Sequence, residues 1–423
     1  MAKLQGVFST AGANILSKVM TLALSILLAR SLGVGDFGKY QYYLSILTLL
    51  SFPVTAGIPQ LVVRYLSVYY NRTKYRLAHS FLRWVSNFIL ITSLFLCAVA
   101  LSVITNEKEL NNKLLIFVCI AISIISKGLI SKNSGELNVI GSPAMSVLQS
   151  TVFNVALVIL FVAPLYIING NVSFDMIVLI TMMSYLLSLV FGWSVIKKRS
   201  YKALSYSYSV KRKIKKDWYN TLFSLSLVSI LSLIPVEVAI IYLGRLGLSD
   251  DIAFIKVAIQ LSVIFVFIQN VINTVIGPKL SILFKSNDNL KIQYLLRKNV
   301  RANFFLVLPL AIFIYLFGEN LISIAYGREY SEAMLYFVIL SVGQIINVLS
   351  GPVLLVMNMS GNNNAAVKIM VTSSLITIFL IFFLTDLYGS KGTVIALAFG
   401  NSIWNIVMSF DIYRLLKLKV WIH

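Results

Sequence analysis

Residues 7–43 read VFSTAGANILSKVMTLALSILLARSLGVGDFGKYQYY. Their first 24 residues, 7–30, form one apolar run broken only by small hydroxyls, Asn14, Lys18 and the closing Arg30. A hydrocarbon core about 30 Å thick is crossed by about 20 apolar helical residues, so this run is one crossing. It is too long for a signal-peptide core and has no small-residue cleavage site near its end, so it is expected to remain in place. The Leu-Gly pair at 32–33, Asp36 and the Tyr-rich return then predict a turn and a second crossing at once.

Working outward, the same reading repeats. The chain has 423 residues, 58% hydrophobic and 12% charged, against about 45–50% apolar and about 25% charged in an ordinary soluble protein. That excludes a soluble globular enzyme. Hydropathy places spans at 8–30, 41–65, 82–104, 114–131, 144–168, 174–196, 219–243, 252–277, 302–317, 334–358, 366–385 and 392–413. The predicted fold class is an all-α membrane protein of about 12 transmembrane helices. The connections are too short for a catalytic domain of 50–250 residues.

The formal net charge is +21, from 36 Lys+Arg against 15 Asp+Glu. Sorting the connections alternately puts roughly 24 basic residues on one side, among them Lys3, Arg72, Lys74, Arg76, Arg83, Lys132, the runs 197–216 and 279–301, and Arg414. The other side holds few cations and most of the acids, including Glu107, Glu109, Asp250 and Asp251. The positive-inside rule therefore places both termini in the cytoplasm and accounts for the charge without nucleic acid.

The basic stretch 197–218, KKRSYKALSYSYSVKRKIKKDW, divides the chain almost in half. We expect an N-terminal six-helix lobe at 1–196, a basic cytoplasmic linker at 197–218 that anchors on membrane lipids, and a C-terminal six-helix lobe at 219–423. The halves are weakly alike. Both SLGVGD at 31–36 and RLGLSD at 245–250 place a Leu-Gly turn before an acid, and pairing Gly33 with Gly247 gives an offset of 214 residues. Pairing Gly135 with Gly361 gives 226. Lobes of six spans share one orientation, related by a pseudo-two-fold axis along the membrane normal, a repeat class in which substrate sites lie at the midplane.

Ionisable residues inside spans cost about 2.5–3.5 kcal/mol at the centre of a helix and are functional candidates. They are Lys18, Arg64, Lys127, Glu237, Lys256 and Lys368, five cations and one acid, which suits an anionic cargo. Arg64, Lys127 and Lys368 lie near helix ends, where long side chains reach the interface. Lys18 shares a helix face with Asn14, four residues earlier. Glu237 follows Pro235, which removes a backbone hydrogen bond. It is either a proton or Na⁺ coupling site or the acid of a buried ion pair with Lys18 or Lys256. Gln269 with Asn273, Gln344 with Asn347, Asn401 with Asn405, and Gln149 and Asn154 are amides that either hold helices together or receive hydroxyl-rich cargo. The tyrosines at 40, 42 and 43 and at 65, 69 and 70 are expected in interfacial belts. Cys97 and Cys119 have no disulfide or metal-ligand pattern.

With His79 and His423 as the only histidines and no phosphate loop, no catalytic residue, metal or cofactor is expected. A drug exporter would prefer an acidic cavity. A membrane enzyme would show a large loop outside the membrane or a His-centred site.

The stretch TAGANILSKVMTLALSILLARSLGVGDFGKYQYYLSIL, followed by VRYLS at 63–67, resembles the polysaccharide biosynthesis flippases. These include the O-antigen and capsule repeat-unit flippases of the multidrug/oligosaccharidyl-lipid/polysaccharide exporter superfamily. The resemblance covers the twelve-span layout; its specific part is Leu-Ala-Arg-x-Leu-Gly followed by Asp-Phe-Gly-x-Tyr. It implies a two-lobed bundle that carries an undecaprenyl-diphosphate-linked oligosaccharide to the periplasmic leaflet of the bacterial inner membrane by alternating access. Beside the resemblance we expect an ion gradient, of H⁺ or Na⁺, to supply direction and a polysaccharide polymerase as a partner. Lys18, Arg30 and Arg64 stand where the family pattern carries basic residues and, with Lys256, are the candidates for a cationic cavity. Asn14, Gln269 and Asn273 are the polar candidates, and Glu237 is the coupling candidate.

Overall fold

The computed structural model describes residues 2–106, 112–199, 210–286 and 288–421. Among these it contains helices and no strand. Glu107, Glu109 and the middle of the basic linker, 200–209, lie outside the described residues. The chain divides into two compact units, Met1–Ile230 and Leu231–His423.

The first unit holds α1 (Ala2–Thr55), α2 (Ile58–Asn71), α3 (Tyr75–Asn106), α4 (Lys113–Ile140), α5 (Pro143–Val147), α6 (Phe153–Asn169), α7 (Phe174–Arg199) and α8, which runs from Arg212 to Leu231. At 1.5 Å per residue, the 54 residues of α1 would span about 80 Å, far more than one hydrocarbon core. Gly33, at φ 73° and ψ 175°, breaks it into two legs. The connection expected at 31–40 is thus helix apart from a single glycine, because only a residue without Cβ adopts that backbone without strain. The second break comes at Gly57, φ 74°.

Gly57 has a further constraint. A Cβ there would lie 2.6 Å from the backbone nitrogen of Ser226 on α8, whose hydroxyl donates to the Ala56 carbonyl at 2.7 Å. Gly57→Val adds left-handed strain to a backbone collision, and we expect it to cost at least about 2 kcal/mol. A thermal-aggregation curve of the detergent-solubilised protein checks this.

Helix α4 is the hub of the first unit, packing on α1, α2, α3, α5 and α7. The tyrosines expected in an interfacial belt contradict that reading: Tyr40, Tyr42 and Tyr43 are at most 2% exposed. These rings are core, and Tyr40 satisfies its polar tip through a 2.9 Å hydrogen bond with Thr181 of α7. Lys127 likewise turns inward instead of reaching for the interface, its Nζ 5.6 Å from the centre of the Tyr185 ring. Gln149 and Ser188 exchange side-chain to backbone hydrogen bonds at 3.2 and 2.7 Å, and Asn154 accepts from Ser184. These amides join the fifth hydrophobic segment to α7.

At the other end of the unit Trp218 of α8 is fully buried among Tyr65, Phe81 and Trp84, and its indole N–H donates to the Tyr69 hydroxyl at 2.9 Å. Residues just before it, Lys211 to Lys216, are exposed apart from Ile214. The ring cluster holds the end of the basic stretch against α2 and α3. We expect Trp218→Ala to cost about 3 kcal/mol, as large-to-small core changes do, read as a lowered unfolding temperature in detergent.

The second unit holds α9 (Ile234–Arg245), α10 (Ser249–Lys285), α11 (Asn289–Ala325), a short turn at Arg328–Tyr330, α12 (Ala333–Ser350), α13 (Val353–Met359) and α14 (Asn363–Leu416). α14 is broken at Gly389, φ 62°, so the connection expected between 385 and 392 is again one glycine. The basic segment 279–301, expected as a connection, lies mostly on helix: α10 and α11 each run 37 residues, and only the turn around Asp288 separates them. Cations sit comfortably on helix extensions outside the hydrocarbon, so charge marks the edge of the membrane and not the end of the helix. Asp288 caps α11, accepting from the backbone N–H of Lys291 at 3.1 Å. The Lys291 ammonium at 2.8 Å and that N–H hold its carboxyl below the usual carboxylate range.

The two internal pairs differ in outcome. Gly33 and Gly247 both have positive φ, 73° and 75°, at helix breaks. Gly135 is an interior residue of α4 against Pro59 and Val62, whereas Gly361 is a turn residue at φ 81°, so this second pairing is incorrect. Identical residue type does not imply an equivalent backbone.

Nine helical stretches among the described residues are long and apolar enough to cross a membrane, or ten with α8 and α9 taken as one. The protein is a multi-pass, all-helical membrane protein.

Candidate functional site

In the first unit the cationic candidates are spread along its surface. Lys18 and Asn14 are exposed on the first leg of α1, with the Asn14 amide donating to the Thr10 carbonyl at 3.0 Å. Arg30 closes that leg and Arg64 lies on α2, both exposed. Lys18 and Arg30 are 12 residues apart, about 18 Å along the axis. One phosphate cannot touch both at once, so the structure does not assemble these two cations into one site.

In the second unit a site is built around the start of α9. Pro235 has no N–H, so the Leu231 carbonyl loses its helical donor. Ser374 of α14 replaces it, its hydroxyl donating to that carbonyl at 2.9 Å. The break places Glu237 in the first turn of α9, where the helix dipole favours a carboxylate. Ten residues later the helix ends in a Schellman turn: Gly247 N–H bonds to Gly244 at 3.0 Å and Leu248 N–H to Leu243 at 3.1 Å. The turn sends α10 back alongside α9. Lys256 lies nine residues beyond the glycine, so it meets Glu237 at about the same height, roughly 14 Å from the turn. Lys256 Nζ lies 3.8 Å from Glu237 Oε2, with the side chains 17% and 14% exposed. Of the two lysines weighed as partners for Glu237, Lys256 is the one within ion-pair distance.

Further along α10, Gln269 is buried. Asn273 accepts from Asn299 of α11 at 3.4 Å, and Asn299 in turn accepts from Asn303 at 3.1 Å. Asn273 therefore belongs to a ladder joining α10 and α11.

A cavity of about 280 Å³ opens beside the α9 break, bounded by α9, α10, α12, α13 and α14. Its polar lining includes Ser232, Ser262, Gln344, Thr377, Asn401 and Trp404, and none of its lining side chains is ionisable. Glu237 follows two lining residues, Pro235 and Val236, without lining the cavity itself. Sequence reasoning singles out Gln344 and Asn401 only as helix-spaced amides and misses Trp404. The available signal is the Asn401–Trp404 spacing of three, which places both on one helix face. The indole N–H does donate to the Asn401 amide oxygen, at 3.3 Å. Also missed is Glu136, only 6% exposed on α4. Among the described residues no group of three His, Cys, Asp or Glu could hold a metal.

Comparison with known proteins bears on what such a bundle does. The capsular polysaccharide biosynthesis protein CapF of Staphylococcus aureus is 25% identical over 414 residues, covering 96% of this chain and 97% of that one. The fold matches the inward-facing structure of a multidrug-resistance MATE transporter of the MOP superfamily. There the TM-score is 0.76 at 14% identity, covering 95% of this chain and 96% of the other. It also matches the lipid II flippase MurJ, with TM-score 0.73, 15% identity and coverage of 95% and 87%. The family model for polysaccharide biosynthesis proteins matches residues 3–284, two thirds of the chain, and the protein is therefore a member of the polysaccharide biosynthesis protein family.

Proposed function

We propose that this protein is a flippase, not an enzyme, that carries an undecaprenyl-diphosphate-linked oligosaccharide from the cytoplasmic to the periplasmic leaflet of a bacterial inner membrane. Membership of the polysaccharide biosynthesis family carries this reading. The fold shared with MurJ supports lipid-linked cargo. Counting each leg of α1 and α14 as a crossing, with α8 and α9 as one, the chain crosses twelve times. Six crossings fall to each lobe, 1–196 and 219–423, and both termini are cytoplasmic. Alternating access rocks one lobe against the other.

Lys18, Arg30 and Arg64 attract the diphosphate in succession, as their spacing along the first unit suggests, with Lys256 as the cation of the second lobe. Asn14 and Gln269 contact polar parts of the cargo. Glu237 couples movement to H⁺ or Na⁺, which would compete with the Lys256 ammonium for its carboxylate. A polysaccharide polymerase would receive the product.

Cells lacking the gene test this. We expect lipid-linked oligosaccharide to accumulate on the cytoplasmic leaflet and surface polymer to be lost. Accumulation on the periplasmic leaflet would instead indicate a polymerisation defect. The likeness to a MATE transporter favours a second reading, multidrug export; unchanged lipid pools with raised drug sensitivity would select it.

A further inference from the structure

We infer that the cavity inside the second unit is a subsite for one uncharged sugar ring, a reading that rests on the flippase assignment. Its volume, about 280 Å³, falls just below the roughly 300–1,000 Å³ typical of drug-sized ligands. That leaves room for a single ring and not for an oligosaccharide.

The lining selects charge. No ionisable side chain lines the space, so a diphosphate, a uronic acid or a cationic drug would be desolvated there with no charged partner in the lining. Its occupant is neutral.

The occupant is also amphipathic. Gln344 on α12 and Asn401 on α14 bring amides to the cavity from two helices. Their oxygens accept from Trp404 and Asn347, and a purely hydrocarbon ligand such as a prenyl segment would offer nothing to their amide N–H groups. The Trp404 indole commits its N–H to the Asn401 oxygen, which fixes the orientation of that amide and leaves the ring face for stacking. The remaining wall, including Ile259, Val263 and Leu340, is apolar and suits the C–H face of a pyranose or the methyl of an N-acetyl group. A neutral, N-acylated sugar satisfies every part of this lining.

The hydroxyls are already arranged. Ser262 donates to the Ala258 carbonyl at 2.9 Å and Thr377 to Ser373 at 2.7 Å. Their oxygens keep lone pairs, so they offer acceptors to a ligand whose hydroxyls donate.

The test uses the full chain in lipid nanodiscs, with methyl N-acetylglucosaminide as probe and methyl glucuronide as its charged control, read by saturation-transfer NMR. We expect transfer to the N-acetyl methyl and ring protons of the first, none to the second, and at least a tenfold loss in Asn401→Leu and Trp404→Leu. Gln344→Leu carries the test if either α14 variant fails to insert. Equal signals from both glycosides, or signals unchanged in the variants, would overturn the proposal. Displacement of the glycoside by farnesol would overturn it too, giving the cavity to a prenyl chain. Binding is read here without translocation, so failure of the flippase reading shows only in the leaflet assay.

Discussion

Replacing Lys18, Arg30 and Arg64 together by glutamine is expected to lower translocation of the lipid-linked oligosaccharide at least tenfold, with membrane insertion and yield unchanged. All three side chains are exposed on the first unit, and glutamine keeps most of their length and helix propensity while removing the charge. Hydrogen bonds to charged groups contribute about 1.5–3 kcal/mol each, so removing even one such bond at the highest barrier slows transport more than tenfold. The roughly 18 Å between Lys18 and Arg30 along α1 adds a graded expectation. If the diphosphate meets these cations in succession, each single variant slows transport by its own amount and no single change abolishes it. Leaflet sidedness in reconstituted vesicles measures this, and full activity in the triple variant would remove the cationic path altogether. Arg30→Lys and Arg64→Lys separate charge from geometry, because only arginine offers the planar bidentate fork.

The second large effect is on stability. Glu237→Gln strands the Lys256 ammonium, and Lys256→Met strands the carboxylate, each in surroundings that leave less than a fifth of the side chain exposed. Removing one partner of a buried pair costs about 3–5 kcal/mol, whereas removing both is often close to neutral. The double variant is therefore expected to be more stable than either single variant, and the losses of the two single variants are not expected to add. Thermal unfolding of the four proteins in detergent measures it. Additive losses would show that the 3.8 Å approach contributes nothing. The same four proteins serve the coupling proposal: if Glu237 carries the ion, the double variant folds and loses the ion dependence of transport.

Much of the fold was legible because membrane insertion is a one-dimensional problem. An apolar run of about 20 residues must be a helix, since hydrocarbon offers backbone groups no other partner. Breaks were harder. Gly33 and Gly389 carry the turn alone within continuous helix, and the cations of 279–301 ride on helix ends, so polarity and charge overstated the length of those connections. The tyrosines at 40, 42 and 43 were misread because an amphipathic ring suits an interface and a core equally well; for Tyr40 the difference was Thr181, 141 residues away.

The candidate site divides along the same line. Glu237 beside Pro235 was visible in the sequence, with Lys18 and Lys256 as alternative partners for its carboxylate. Which lysine it meets was not, because that depends on the direction in which the Gly247 turn sends α10. The cavity was less visible still: Trp404, Gln344 and Ser232 are ordinary residues in separate segments, and only packing makes a shared wall of them.

By itself the sequence determined an all-helical membrane protein with a basic midpoint and an excess of cations, since hydropathy and charge act locally and each residue contributes wherever the chain goes. Only the tertiary structure decided which of those residues meet. It paired Glu237 with Lys256, buried Tyr40 against Thr181, and left an uncharged space beside Trp404, because the meeting of helices depends on turn geometry and close approach, which no local pattern encodes.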